Sequence, residues 1–330
     1  MEFSRRAVNV ERLLAAAALA AALGAAWAES GSGLAARVRD GRPWPLWIEA
    51  RERGRATPPT FHFAVYDPVA RRLSVVHVPG ELKLEARRTL ERAYLDALKA
   101  SADPDAAARA AEDLAEGRLR ELSPEPVPPA STRVVVEIAP LAAEDEPALS
   151  AALALKERGR RPRAWLALAR EAVRGLRRRD PAALDSFFFA LELRRAPLEN
   201  LEPARLPEDA QAPPLLGKIL RAEPREADAR ATTVEVLNGA GASGLATRAK
   251  KMLRLKGVDV QTTGGAAPRA RTLVYDRTGD FQRARGVVAA LGCPTARAFT
   301  RVDLARAVDA SVELGEDCAG AFGTGESREP

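Results

Sequence analysis

Gly239-Ala240-Gly241-Ala242-Ser243-Gly244 spaces three glycines as G-x-G-x-x-G. Between a strand and a helix, that spacing lets backbone N–H groups and a helix N-terminus receive a pyrophosphate, the chemistry of a nucleotide cradle. A dinucleotide fold also needs an acid about 20 positions on, at the end of the next strand. Val260 to Gly265 (VQTTGG) offers none there, and Asp259 stands at the strand's start. Lys250 and Lys251 lie a turn or more beyond the last glycine, so this is no Walker loop. Asn238, Gly239, Gly241 and Gly244 therefore read as a binding turn or as a tight strand-to-helix turn. Arg160, Arg161 and Arg163, with the run Arg174 to Arg179, could grip phosphate through bidentate guanidinium forks. Solvated helix ends are the plainer reading, since arginine in a last helical turn complements the helix dipole.

His62 and His77 are the only histidines, each alternating with apolar residues, and both read as surface-facing strand residues. A histidine triad or zinc site is not expected. Cys293 and Cys318 are too few for a disulfide scaffold or a metal cluster. They either pair in an oxidising compartment or stand as two buried thiols.

Several elements would position these residues. Thr60 to Asp67 and Arg72 to Val78 alternate as the two strands of a hairpin, which Pro79-Gly80 stops. Leu84 to Glu121 carries helical spacing broken at Asp103-Pro104, so two helices are expected. Thr132 to Ile138 reads as a buried strand. Helices follow at Pro147 to Arg158, Trp165 to Arg178, and from Asp180-Pro181 through Phe187-Phe188-Phe189 to Arg194, with the phenylalanines in the core. Beyond a stretch rich in proline, acid and arginine, with a short helix at Leu215 to Arg221, the pattern restarts. Strands are expected at Thr232 to Leu237, Val258 to Thr263, Arg271 to Asp276 and Val308 to Leu314, and helices at Leu245 to Lys256 and Phe281 to Leu291. That βαββαβ order predicts a small two-layer unit with helices on one face.

The chain has 330 residues, about two domain-lengths. Hydrophobic residues at 46% and charged residues at 29% exclude a wholly disordered chain and a polytopic membrane protein. The net charge of +6 is spread through both halves and does not call for nucleic acid. Arg5, Arg6 and Arg12 precede an uncharged run from Leu13 to Ala28. The run lies between a signal-peptide core and a membrane span in length, and it ends in Ala26-Trp27-Ala28. Residues 1–28 are thus a cleaved signal peptide or an uncleaved anchor, with a buried alanine-rich helix as the third reading. Next come a linker at 29–59, a domain at 60–208, a linker at 209–231, a domain at 232–320 and a disordered tail at 321–330.

Val234-Glu235-Val236-Leu237-Asn238-Gly239, with Gly241, Gly244-Leu245-Ala246, Gly257-Val258-Asp259-Val260 and the closing Val312-Glu313-Leu314-Gly315, resembles the LytR C-terminal domain family. The resemblance covers residues 232–320 and implies an envelope location more than a chemistry. Such domains often follow a LytR-CpsA-Psr (LCP) domain, which resembles a phosphotransferase moving undecaprenyl-linked glycopolymers onto cell-wall acceptors. Thr60 to Leu82 is similar to that family's opening hairpin, Leu90 to Tyr94 to its next helix, and Leu184 to Pro207 to its last helix and strand. Pro79-Gly80-Glu81 stands where the family has Pro-Arg-Asp, and the Arg-x-Asp before the first strand is missing, with His62 in that neighbourhood.

The implied fold is α/β (α+β), a degenerate LCP-like α/β domain followed by the βαββαβ unit. The implied protein is exported and membrane-tethered, and it binds or scaffolds cell-wall components without catalytic residues or cofactor. Its partners would be peptidoglycan, a glycopolymer or an envelope protein, with the inner membrane at the N-terminus and no nucleic acid. The main alternative is a divergent phosphotransferase that recruits other acids, for instance Glu81 or Asp67, to hold a divalent ion such as Mg2+. A nucleotide-binding protein using the 239–244 turn is the third.

Overall fold

Strands covered on both faces bury successive residues rather than alternate ones, and the first half of the chain is built on three strands buried in this way. β1 (Trp44–Glu52), β2 (Thr60–Asp67) and β3 (Arg72–Val78) are buried along most of their length. They pair antiparallel, with Trp47 opposite Phe63 and His62 opposite His77. The computed structural model describes residues 32–84, 88–130, 132–158, 160–161, 168, 170, 172, 181–207, 210–221 and 231–322. The expected signal or anchor at 1–28, most of the helix expected at Trp165 to Arg178, Arg163, and residues 323–330 of the tail lie outside them.

Helix α1 (Gly33–Arg39) precedes β1, and α2 (Leu90–Ser101) and α3 (Pro104–Leu122) follow the hairpin. The last two break where the sequence predicts. Thr89 caps α2, Asp103 caps α3 by accepting from the Asp105 N–H at 2.9 Å, and Pro104 occupies the first turn, where no N–H is required. Strand β4 (Thr132–Ile138) joins β1 in parallel. Helices α4 (Pro147–Arg158) and α5 (Pro181–Arg195), strand β5 (Leu201–Arg205) parallel to β3, and helix α6 (Ala212–Arg221) complete this half. One sheet face, with Trp47, Phe61, Phe63 and Val76, packs on α2, α3 and α6. The other, with Leu46, Ile48, Tyr66 and Val75, packs on α1, α4 and α5.

The second half runs β6 (Thr233–Asn238), α7 (Leu245–Leu255), β7 (Asp259–Gly265), β8 (Leu273–Asp276), α8 (Phe281–Leu291), β9 (Arg297–Thr300) and β10 (Ala310–Leu314). Helices α7 and α8 cover one face through Leu245, Leu253, Phe281 and Val287. β9 lies parallel beside β5, with Ala204 opposite Thr300. The described residues therefore form one mixed α/β sheet in the order β4-β1-β2-β3-β5-β9-β8-β10-β6-β7.

Four expectations are corrected. The expected linker at 29–59 contains α1 and the sheet strand β1. The second unit is βαββαββ, because four-residue β9 carries too short a pattern to be recognised. It is not simply two-layered, since Leu273, Tyr275 and Phe299 on its helix-free face join the core of the first half. His62 and His77 are buried rather than surface-facing, at 0% and 9% exposure. Cys293 and Cys318 are joined in a disulfide. Among the described residues no helix is long and apolar enough to cross a membrane.

Candidate functional site

The glycine turn between β6 and α7 is closed by its own groups. Asn238 Nδ2 donates to Ala242 O at 2.8 Å, and the Ala240 N–H donates to Asn238 Oδ1 at 3.1 Å. The Gly239 N–H is committed to Leu314 O at 2.9 Å. Two donors that a pyrophosphate would need are thus already used. A Cβ on Gly239 would lie 2.8 Å from Ala267 O and 3.0 Å from Leu314 O, so the glycine is set by close backbone approach. Gly241 and Gly244 have φ of +69°, the left-handed region that glycine enters without strain. Gly244 sits at the start of α7.

The chain that crosses over Gly239 carries Arg269, whose N–H donates to Gly239 O at 2.9 Å. Its side chain is 5% exposed and pairs with Glu313 on β10. Both terminal nitrogens lie 3.3 Å from the Tyr275 hydroxyl, and Nη2 also donates to Glu144 O, in the first half, at 3.1 Å. Beside it Glu146, buried just before α4, faces Arg301 at 3.8 Å. Burial pushes the Glu146 carboxyl up, against the opposing pull of Arg301, a hydrogen bond from Tyr275, and Arg205. Burial, reinforced by Glu146, pushes the Tyr275 hydroxyl up to about 12.

A groove of about 790 Å³ runs from this junction along α4 to the end of β4. Arg53, Arg158, Arg161, Arg269 and Arg271 line it, and Glu137, Glu144, Asp145, Glu146 and Glu157 match them one for one. A groove balanced in this way has no net attraction for a polyanion. Arg161 is exposed and paired with Glu157 at 2.8 Å, and Arg160 is exposed on the same turn.

Asp67 and Glu81 are not brought together. Asp67 closes the β2–β3 turn, accepting from the Val69 and Ala70 N–H groups at 3.0 and 3.1 Å and from Arg72 at 3.2 Å. Glu81 is exposed beyond the far end of β3, on the order of 20 Å away by strand rise. Between them lies the His62–His77 pair, with ring centroids 5.1 Å apart. Burial, with His77 adding to it, holds His62 well below the usual histidine range. Burial and Arg205 hold His77 at about 4.

Sequence reading missed a cluster under α3. Glu49 on β1 is fully buried and pairs with Arg133 on β4 and with Arg51 at 2.5 Å. Arg133 also lies 3.1 Å from Glu112 and 3.6 Å from Asp105. The Glu112 contact lacks hydrogen-bond geometry. Burial, with Asp113 adding to it, therefore dominates and pushes Glu112 up to about 8. The available signal was a charge inside an otherwise apolar run, Glu49 in WPLWIEA.

Fold and turn together define a two-part α/β protein whose glycine turn supports the arginine that joins its halves. Residues 231–317, roughly a quarter of the chain, match the family described as "LytR cell envelope-related transcriptional attenuator". This region is a LytR C-terminal domain, and it marks the chain as a cell-envelope-related protein. No curated protein matches the chain. Among solved structures, "Solution Structure of the C-terminal domain of RV0431" is similar at 24% identity over 28% of this chain and 79% of that one, with a TM-score of 0.20.

Proposed function

We propose that this is an exported, membrane-tethered envelope protein, facing the periplasm or its equivalent, that binds or scaffolds cell-wall components without catalysing a reaction on them. The observation that carries this reading is the separation of Asp67 from Glu81. These two acids, the ones that stand nearest the family's metal-holding step, sit at opposite ends of the hairpin. Neutral imidazoles occupy the space between them. The membrane tether rests on the 1–28 segment, and the wall ligand, peptidoglycan or a glycopolymer, on the envelope domain.

Co-sedimentation of the full chain with purified peptidoglycan sacculi across a salt series tests the proposal. Saturable pelleting that survives salt supports wall binding. Pelleting that salt abolishes, or none at all, overturns it in favour of an envelope protein partner.

One observation favours a second reading, the divergent phosphotransferase. Arg133 gathers Glu49, Asp105 and Glu112 at one end of β1. Arg51 and Arg133 already pair with Glu49 and Asp105, so Mg2+ would have to displace a guanidinium. Transfer from a lipid-linked glycopolymer by the wild-type chain, lost in Glu49→Gln, would replace the scaffold reading.

A further inference from the structure

Each edge of the ten-stranded sheet has one carbonyl covered by a guanidinium, Val135 O of β4 by Arg158 and Val260 O of β7 by Arg254, and the edges differ in what lies beyond it. At one edge the Arg158 guanidinium donates to Val135 O of β4 at 2.6 Å, covering a carbonyl that a further strand would use. At the other edge β7 pairs, among the described residues, only with β6, and all of Gln261 to Gly265 is exposed. This stretch, QTTGG, contains no proline or charge, the usual devices that stop an edge from pairing. The Asp259 N–H donates to Thr232 O and the Ala266 N–H to Asn238 O, both at 3.0 Å. A register shift at Val234/Glu235 absorbs Gln261. Strand alternation then turns the N–H and C=O groups of Thr263 and Gly265 away from β6, toward open solvent.

Helix α7, packed over β6 and β7, supplies the charge. Arg248, Lys250, Lys251 and Arg254, with Lys256 just beyond, put five cations on or beside three turns that hold no acid. Arg248 and Lys256 reach backbone carbonyls, Ser243 O at 3.1 Å and Ala290 O at 2.7 Å, and Arg254 reaches Val260 O on β7 at 2.7 Å. None of the five is ion-paired to a carboxylate among the described residues. Leu255, on the last turn of the same helix, is 81% exposed.

We propose that β7 is a docking edge for an extended acidic polypeptide segment of a partner, which adds as an eleventh strand while its carboxylates meet Lys250, Lys251 and Arg254 of α7. An open edge supplies main-chain hydrogen bonds, and flanking side chains supply selectivity. A second copy of this chain is a poor occupant. Two-fold antiparallel pairing of β7 with itself sets both α7 helices on the same sheet face, cations against cations. A polyanion without a peptide backbone leaves the Thr263 and Gly265 groups unused. The inference rests on the scaffold reading only in supplying it with a polypeptide partner. Sacculus pelleting and the experiment below use different ligands, so either can fail without the other.

The test is fluorescence anisotropy on the full chain, with a labelled peptide of alternating valine and glutamate as the probe. Comparison probes are its lysine counterpart, the acidic peptide N-methylated at alternate amides, and inorganic polyphosphate. The acidic peptide is expected to bind at least tenfold more tightly than each of the three. Thr263→Pro, which removes an outward N–H, and Lys250→Glu/Lys251→Glu should each weaken it tenfold or more. If Thr263→Pro disturbs the far-UV circular dichroism, the N-methylated peptide decides the backbone requirement on the unaltered protein. Equal binding of the methylated peptide or of polyphosphate overturns strand addition, equal binding of the lysine peptide overturns the charge match, and no binding at millimolar peptide overturns both.

Discussion

Gly239 shows how one atom constrains distant segments of the second half. Adding a methyl there drives it against Ala267 O and Leu314 O, two backbone atoms that cannot turn aside. Gly239→Ala should therefore destabilise by about 1–3 kcal/mol, read as a lower midpoint in urea with the slope unchanged. Gly241→Ala has open space around the new methyl. It should cost only the left-handed backbone penalty, about 1–2 kcal/mol. A larger loss at Gly241 than at Gly239 would contradict the close-approach reading. The histidine pair gives a second expectation at this scale. The unfolded chain takes a proton near pH 6.5, whereas folded His77, facing His62, Arg205 and Glu81, takes one only at about 4. Its folded value is depressed, so the unfolded state binds more protons between those limits, and stability is whole above about pH 6.5 and falls as pH drops toward 4. His77 alone accounts for about 3 kcal/mol over that window. Melting curves from pH 7 to 4 should show a steeper decline for the wild type than for His77→Leu, and parallel declines would refute the assignment.

Element by element, what the sequence displayed depended on how many faces each segment buries. The helix break at Asp103-Pro104 was readable because capping is local chemistry that packing does not change. β2 and β3 were readable as strands, but their alternation suggested one solvent face, and that misplaced His62 and His77. β1 was missed because its run is apolar on both faces and punctuated by Pro43 and Pro45. Such a run has no period to detect. At the candidate site, the glycine turn was visible as a motif. Its use was not, because the groups that fill it, Ala267, Arg269 and Leu314, arrive from elsewhere in the chain. The disulfide belongs to this scale as well. Cys293 follows α8 and Cys318 follows β10, so the bond ties the β9 segment to the final short helical turn. With the cysteines 25 positions apart, opening it should cost about 3 kcal/mol by loss of the constraint on the unfolded chain. Cys293→Ala/Cys318→Ala should melt several degrees lower than the oxidised wild type and match it once both are reduced. A melting point unaffected by reductant would show that the bond carries none of the stability.

For the whole molecule, the question is whether the LytR C-terminal domain is an appendage or a structural part of the first half. Two features make it a part. The β5–β9 contact continues the sheet through Ala204 and Thr300, and Leu273, Tyr275 and Phe299 share a core with Phe189 and Leu201. Arg269 adds a polar tie to Glu144 at the same border. All four tryptophans, Trp27, Trp44, Trp47 and Trp165, precede residue 231, so tryptophan fluorescence reports the first half alone. Phe299 is fully buried on β9, and truncating such a ring costs about 3–5 kcal/mol in a packed core. If the halves share one core, Phe299→Ala must lower the unfolding midpoint seen by tryptophan, although the nearest described tryptophan belongs to a strand on the far side of β2, β3 and β5. If they fold independently, the fluorescence midpoint stays where it was and only the signal of the second half moves. The shared core predicts the first outcome, with both halves unfolding at a single midpoint in the wild type.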